Sequence, residues 1–227
     1  MKRVLNGKSF LLENGKIARL ASIQVPNIRE THGLKRAGQP MGKQSHQALI
    51  DLVHGKKLIF TYGDEKMDRK GRLLAMAYLE DGRNVQAEMI KQGWAMVYPF
   101  PDIREPLKEW LELEAKAREA KLGIWQNSYW DPQSADGVDT GGKERFLLVE
   151  GTVNNAAKVK GGWFLNFDED WKTDFTGVIS KTDTKAEFKK DDLKRLTGKQ
   201  VRVRGWIYRY NGPAVDIHQP EQIEILN

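Results

Sequence analysis

The chain has 227 residues, 40% of them hydrophobic and 30% charged, with no cysteine and a formal net charge of +6. Such a composition supports a folded core and excludes disulfides, thiolate chemistry and cysteine-ligated zinc. No apolar run approaches the ~20 residues of a membrane span, so no membrane partner is expected.

The chain opens Met1-Lys2-Arg3-Val4 and passes directly into strand-like sequence, without the succession of a signal peptide. Cysteine usage leaves the compartment open, and a secreted or periplasmic location would require a leader already removed. The charge is unevenly divided. Residues 1–132 carry 22 Lys and Arg against 16 Asp and Glu, whereas residues 133–227 carry 15 against 15. A basic first part is compatible with a polyanionic partner.

In chain order, Val4–Leu12, Lys16–Val25, Lys57–Tyr62 and Arg72–Leu79 read as strands, with Asn14-Gly15 and Asp81-Gly82 as turns. Ser45–His54 repeats apolar residues at helical spacing. Asn84–Gln92 has a cap at its start and Gly93 at its end. Pro106–Lys121 is the clearest helix, with Leu107, Trp110, Leu111 and Leu113 among charges that read as a solvated face. Residues 133–143 are small, polar and Gly-rich, which is linker composition, so the expected division is 1–132, a linker at 133–143, and 144–227.

In the second part, Phe146–Val153, Trp163–Phe167, Phe175–Ser180, Gln200–Tyr208, Ala214–His218 and Gln222–Leu226 read as strands, and Lys185–Leu196 as a short helix. Continued to Tyr210, the 200–208 strand alternates with period two. Val201, Val203, Gly205 and Ile207 should face inward and Arg202, Arg204, Trp206 and Tyr208 outward. A row of cations and flat rings can track a single nucleic-acid strand, by phosphate contact and base stacking. The bland alternative is packing against the rest of the fold. The acidic stretch Asp168-Glu169-Asp170, with Asp174 nearby, reads as a solvated loop.

Several local motifs fall together in the first part: Arg19-Leu20 leading a strand that ends at Pro26, Asp68-x-x-Gly71-Arg72, Gly93-Trp94-Ala95 and Gly123-Ile124-Trp125. In this order they resemble the staphylococcal nuclease (thermonuclease) family, an OB-type barrel with three helices. The second part resembles the OB-fold of nucleic-acid-binding proteins. The expected fold class is therefore α+β, mainly β: two tandem OB-type barrels.

The family resemblance implies two calcium-binding carboxylates and a glutamate acting on the attacking water. The matching positions here are Lys8, Gln24 and Asn27. Calcium takes about six to eight oxygen ligands and needs carboxylate charge to hold it. An ammonium at ~4 Å from a dication would oppose it by about 8 kcal/mol at an effective dielectric of ~20, an upper figure because lysine can swing away. An amide cannot take a proton from water near neutral pH. Arg19 and Arg72 match the family's two phosphate-contacting arginines and can bind phosphate without a metal.

No metal and no cofactor is expected on this reading, and calcium enters only if displaced acids such as Glu13, Glu30 or Asp68 rebuild a site. The histidines offer no substitute: His46 and His54 lie roughly 12 Å apart along one helix, and His32 and His218 have no evident partner. Neither a Walker-type loop, a dinucleotide fingerprint nor a hydrolase nucleophile motif occurs. The leading expectation is a non-catalytic protein that binds nucleic acid, single-stranded by preference, or docks a protein partner. The alternative is a divergent metal-dependent phosphodiesterase.

Overall fold

A computed structural model describes residues 1–28, 38–100, 106–138, 144–170 and 173–226. The chain divides into two compact units, Met1–Trp130 and Asp131–Asn227.

The first unit is built on strands β1 (Arg3–Asn6), β2 (Ser9–Leu11), β3 (Ile17–Leu20) and β4 (Ile23–Gln24), helix α1 (Gly42–Val53), strands β5 (Leu58–Thr61) and β6 (Leu73–Leu79), helix α2 (Val85–Lys91), strand β7 (Met96–Val97) and helix α3 (Leu107–Glu119). Five strands pair in the order β1-β2-β3-β6-β5, with β3 parallel to β6, and β4 pairs separately with β7. Two expected strands are thus each broken in two. Lys16–Val25 breaks at Ser22, whose φ of 56° lies in the left-handed region and redirects the chain between β3 and β4.

Phe10, Leu20, Ile23, Leu49, Met89, Ile90 and Trp110 fill the core between sheet and helices. The cap expected for α2 is present, with Asn84 accepting from the Ala87 N–H at 2.8 Å. Inside the core, the Gln86 side-chain amide accepts from Ala77 N and donates to Ala75 O, each at 3.1 Å, which fastens α2 to β6. One charge on α3 departs from the solvated-face expectation. Glu114 is fully buried, accepts from Val97 N at 2.6 Å and bonds Arg118, so it ties α3 to β7.

The second unit contains β8 (Gln133–Ser134), β9 (Arg145–Thr152), β10 (Asn155–Val159), β11 (Gly162–Asn166), β12 (Thr176–Ser180), helices α4 (Lys181–Ala186) and α5 (Lys190–Lys194), β13 (Gln200–Tyr210), β14 (Gly212–Asp216) and β15 (Ile223–Ile225). The sheet runs β10-β11-β12-β14-β13-β9-β8, with β15 beside β13 and a parallel β12–β14 pair. Because β9 and β10 are consecutive, the path begins and returns on the same stretch of chain.

Two sequence expectations need correction here. Residues 133–138, expected as linker, belong to the unit: β8 pairs in parallel with β9, and Ala135 and Val138 are buried in its core. Residues 139–143 lie outside the described residues. The single helix expected over Lys185–Leu196 is instead two short ones, α4 starting earlier and capped by Ser180, whose hydroxyl accepts from Asp183 N.

After α2 and α3, the chain makes a close backbone approach at two glycines. Gly93 has φ of 74° and Gly123 φ of 54°, and a Cβ on Gly123 would stand 2.3 Å from Gly93 O. Since backbone cannot give way as a side chain can, Gly123→Ala should destabilise the first unit by more than ~2 kcal/mol, the upper part of the left-handed penalty with a clash added. A urea titration of the two proteins, read as a shift in midpoint, checks this.

Candidate phosphate-binding site

The ladder of the first sheet sets the site. Ser9 on β2 is paired with Arg19 on β3, and Arg19 with Leu74 on β6, while Leu20 N donates to Lys8 O at 2.8 Å. Lys8, just before β2, thus lies beside the C-terminal end of β3, and Arg72, just before β6, beside its N-terminal end; Arg19 stands between them, and the three long side chains come within reach of one another's charge. Lys8 Nζ donates to Gln24 Oε1 at 2.5 Å. Gln24 is only 3% exposed, and its Nε2 donates to Val25 O at 3.1 Å, which fixes the amide with its oxygen towards the lysine.

Arg72 is held by Asp68, through Nε at 2.7 Å and a second guanidinium nitrogen at 2.5 Å. Asp68 also accepts from the backbone N–H of Lys70 and of Arg72, the tight turn that Gly71 permits. Arg19 is different: its Nε is buried with no hydrogen-bond partner among the described residues.

The electrostatics follow from this crowding. Burial, then the charges of Arg19 and Arg72 and more weakly Lys70, push the Lys8 ammonium well below its ordinary 10.5, against the single opposing pull of Asp68. Burial and Arg72 likewise lower Arg19. Burial works to raise the Asp68 carboxyl, but the bonds from Arg72 and Lys70 overcome it and leave it below the usual value.

The resemblance would place a calcium ion here. Lys8, Gln24 and Asn27 do not fit one, since the first donates its ammonium to the second and no carboxylate stands among the three. Of the acids that could rebuild a site, Asp68 is engaged by Arg72, Glu13 is exposed and pairs with the N-terminal amine, and Glu30 lies outside the described residues, as does His32. Among the described residues no group of three or more His, Cys, Asp or Glu could hold a metal ion.

In the second unit the row expected to face outward is not a free cationic face. Arg204 is 0% exposed and ion-paired with Glu224. Arg202 bonds Glu150 Oε1 at 2.6 and 2.8 Å and Glu224 at 3.2 Å. Strand alternation gave the correct inward set, but β9 and β15 flank β13 with a glutamate each, opposite Arg202 in the register, and so neutralise it. Trp206 packs edge-on against Phe146 at 6.0 Å, and Tyr208 donates its hydroxyl to Asp216 at 2.8 Å, where burial and that carboxylate push its pKa up.

A different surface of this unit was missed. Asn155, Ala157, Val159, Phe164, Asn166 and Tyr210, among others, line an open groove of about 430 Å³, with Tyr210 55% exposed. The strand β10 that supplies its edge, Asn-Ala-Ala-Lys-Val, has little of the β-branched and aromatic character that marks strands. The acidic loop is tied inward at one point: Asp174 accepts from Phe167 N, Asp168 N and Thr176 Oγ1.

Residues 17–127 match the family model described as staphylococcal nuclease homologue. An uncharacterized endonuclease of Escherichia coli is 31% identical over 129 residues, covering 56% of this chain and 75% of that protein. The chain belongs to the staphylococcal nuclease family. Other relatives are endonuclease YncB of Bacillus subtilis, 31% identical over 134 residues with 56% of this chain and 61% of that protein covered, and a probable staphylococcal-like nuclease of Oryza sativa subsp. japonica, 34% identical over 118 residues with 46% and 34% covered. The chain spans only 25% to 34% of the length of the first plant relatives it matches. The family model stops at residue 127, before the second unit begins.

Two outcomes test this geometry. Between the lowered pKa of Lys8 and its ordinary 10.5, the unfolded chain binds the proton that the folded chain has released, so stability should rise with pH across that window. Thermal melts at increasing pH should show the rise in wild type and lose it in Lys8→Met. In the second unit, Glu224→Ala leaves buried Arg204 without this partner and should cost ~3–5 kcal/mol, measured by chemical denaturation.

Proposed function

We propose that this chain binds nucleic acid through its phosphates, using Arg19 and Arg72, and does not cleave it with calcium at this site. The observation that carries the reading is the Lys8–Gln24 hydrogen bond. An ammonium and an amide engage one another where the family resemblance implies two metal-binding carboxylates. The electropositive half of a phosphodiester site is retained while the half that would hold a cation and activate water has become its opposite in charge. Kinship with proteins named endonucleases supports nucleic acid as the ligand class. It also favours the second reading, a divergent phosphodiesterase whose acids come from elsewhere, Glu30 included.

For the second unit, the surface that supports single-strand binding is the groove at Phe164 and Tyr210. Its aromatic rings offer stacking faces, and Asn155, Asn166 and Asn211 offer amide edges that can donate and accept. The neutralised Arg202 and Arg204 do not serve it. A protein partner would use the same uncharged groove.

Gel-shift and cleavage assays separate these readings. Wild type should bind an oligonucleotide in EDTA with a log–log salt slope of about -0.7 per phosphate neutralised on a single strand, and should leave denatured DNA intact in calcium. Arg19→Ala and Arg72→Ala should each weaken binding by ~1.5–3 kcal/mol, as for hydrogen bonds to charged groups. Phe164→Ala and Tyr210→Ala should cost ~1–3 kcal/mol and leave the salt slope unchanged, because stacking releases no counterions. Calcium-dependent cleavage that Arg72→Ala abolishes would instead establish the phosphodiesterase.

A further inference from the structure

We infer that Lys8, positioned by Gln24, is itself a phosphate ligand taking the place of a divalent cation, and that with Arg19 it makes the site selective for a dianionic, terminal phosphate over an internal diester. The inference rests on the phosphate-binding reading above and goes beyond it in naming the ligand's charge state and the residue that sets it.

Three observations carry it. First, Lys8 is held in place. Its ammonium bonds an amide oxygen whose own orientation is fixed by the Gln24–Val25 contact, so the side chain is anchored beside the arginines although their charges repel it. An ammonium has three donors, and one bond to Gln24 leaves donors for a ligand. Second, the buried Arg19 Nε has no hydrogen-bond partner among the described residues, and a buried guanidinium donor left unmade is costly unless an acceptor arrives.

Third, the charges do not balance. Asp68 is bonded to Arg72 through two guanidinium contacts and reaches Lys8 and Arg19 only by its charge, which leaves these two without an ion-pair partner of their own among the described residues, with the exposed Lys70 nearby and screened by water. A diester brings one negative charge. A phosphate monoester brings close to two above its second ionisation near pH ~6, and so matches the pair.

Protonation is linked to this binding. Burial first, and then the charges of Arg19, Arg72 and more weakly Lys70, push the proton off Lys8, Asp68 pulls the other way, and Gln24 contributes no charge. A dianion placed among them reverses the balance and retains the proton. As pH rises through the lowered pKa of Lys8, the free protein loses one of these two charges. Affinity for the phosphate end should therefore fall with pH, and affinity for a diester should change much less.

The test uses the full chain in EDTA and fluorescence anisotropy with one short single-stranded oligonucleotide in three forms: 5′-phosphate, 3′-phosphate and hydroxyl ends. One of the phosphorylated forms should bind at least ~10-fold more tightly than the hydroxyl form at the start of a pH series begun just above the second phosphate ionisation at ~6, and that preference should shrink as pH is raised. Both effects should vanish in Lys8→Met, with circular dichroism confirming its fold. If that variant does not fold, the end preference and pH profile of wild type decide. Equal binding of all three forms by wild type, or a preference that Lys8→Met retains, would overturn this inference while leaving phosphate binding intact. No binding of any form at low salt would overturn both.

Discussion

Like charges stay together in a protein only where the backbone gives them no alternative, and that constraint governs the first unit. The β2-β3-β6 ladder fixes Ser9, Arg19 and Leu74 in one row, and the buried packing of Phe10, Leu20 and Ala18 on the other side of the strands keeps the ladder in register. A slip of one residue would exchange core and surface faces, at a cost far above the repulsion of a few partly solvated cations. The sheet can therefore hold Arg19 between Lys8 and Arg72, with Asp68 bonded to Arg72. The break at Ser22 then swings β4 so that Gln24 meets Lys8.

The second unit meets the same problem with the opposite solution. Arg202 and Arg204 lie on a strand paired on both sides, and Glu150 and Glu224 arrive opposite Arg202 from the neighbouring strands. Burying an ion pair contributes little net stability, because desolvation offsets most of the attraction, but breaking one leaves a charge with nowhere to go. Those arginines are thus part of the sheet's interior order and are withdrawn from any ligand. The contrast is physical: Arg202 and Arg204 are matched by acids from neighbouring strands, whereas Lys8 is met by an uncharged amide.

Membership of the staphylococcal nuclease family establishes a scaffold, and a scaffold does not carry its chemistry with it. Arg19 lies on β3 and Arg72 in the turn that enters β6, whereas Lys8 lies in the turn before β2 and Gln24 is buried in β4.

Much of the fold was legible in the sequence because the signals are local. The α2 cap at Asn84, the α3 apolar stripe and the alternation of Val201, Val203 and Ile207 depend on neighbours a few residues away. Lys8, Gln24 and Asn27 could be read as a lost metal set, and Arg19 and Arg72 as retained, from motif context alone. What the sequence could not reveal depends on partners distant along the chain. Glu224 lies 22 residues beyond Arg202 and Glu150 lies 52 before it, and no periodicity announces that β9 and β15 would flank β13. The burial of Glu114, the inclusion of residues 133–138 in the second unit and the groove along β10 are likewise set by strand pairing. Local patterning determined which residues form strands and helices and that Lys8, Gln24 and Asn27 carry no carboxylate. Only the tertiary structure decided which cations are compensated, because compensation depends on which strands lie side by side.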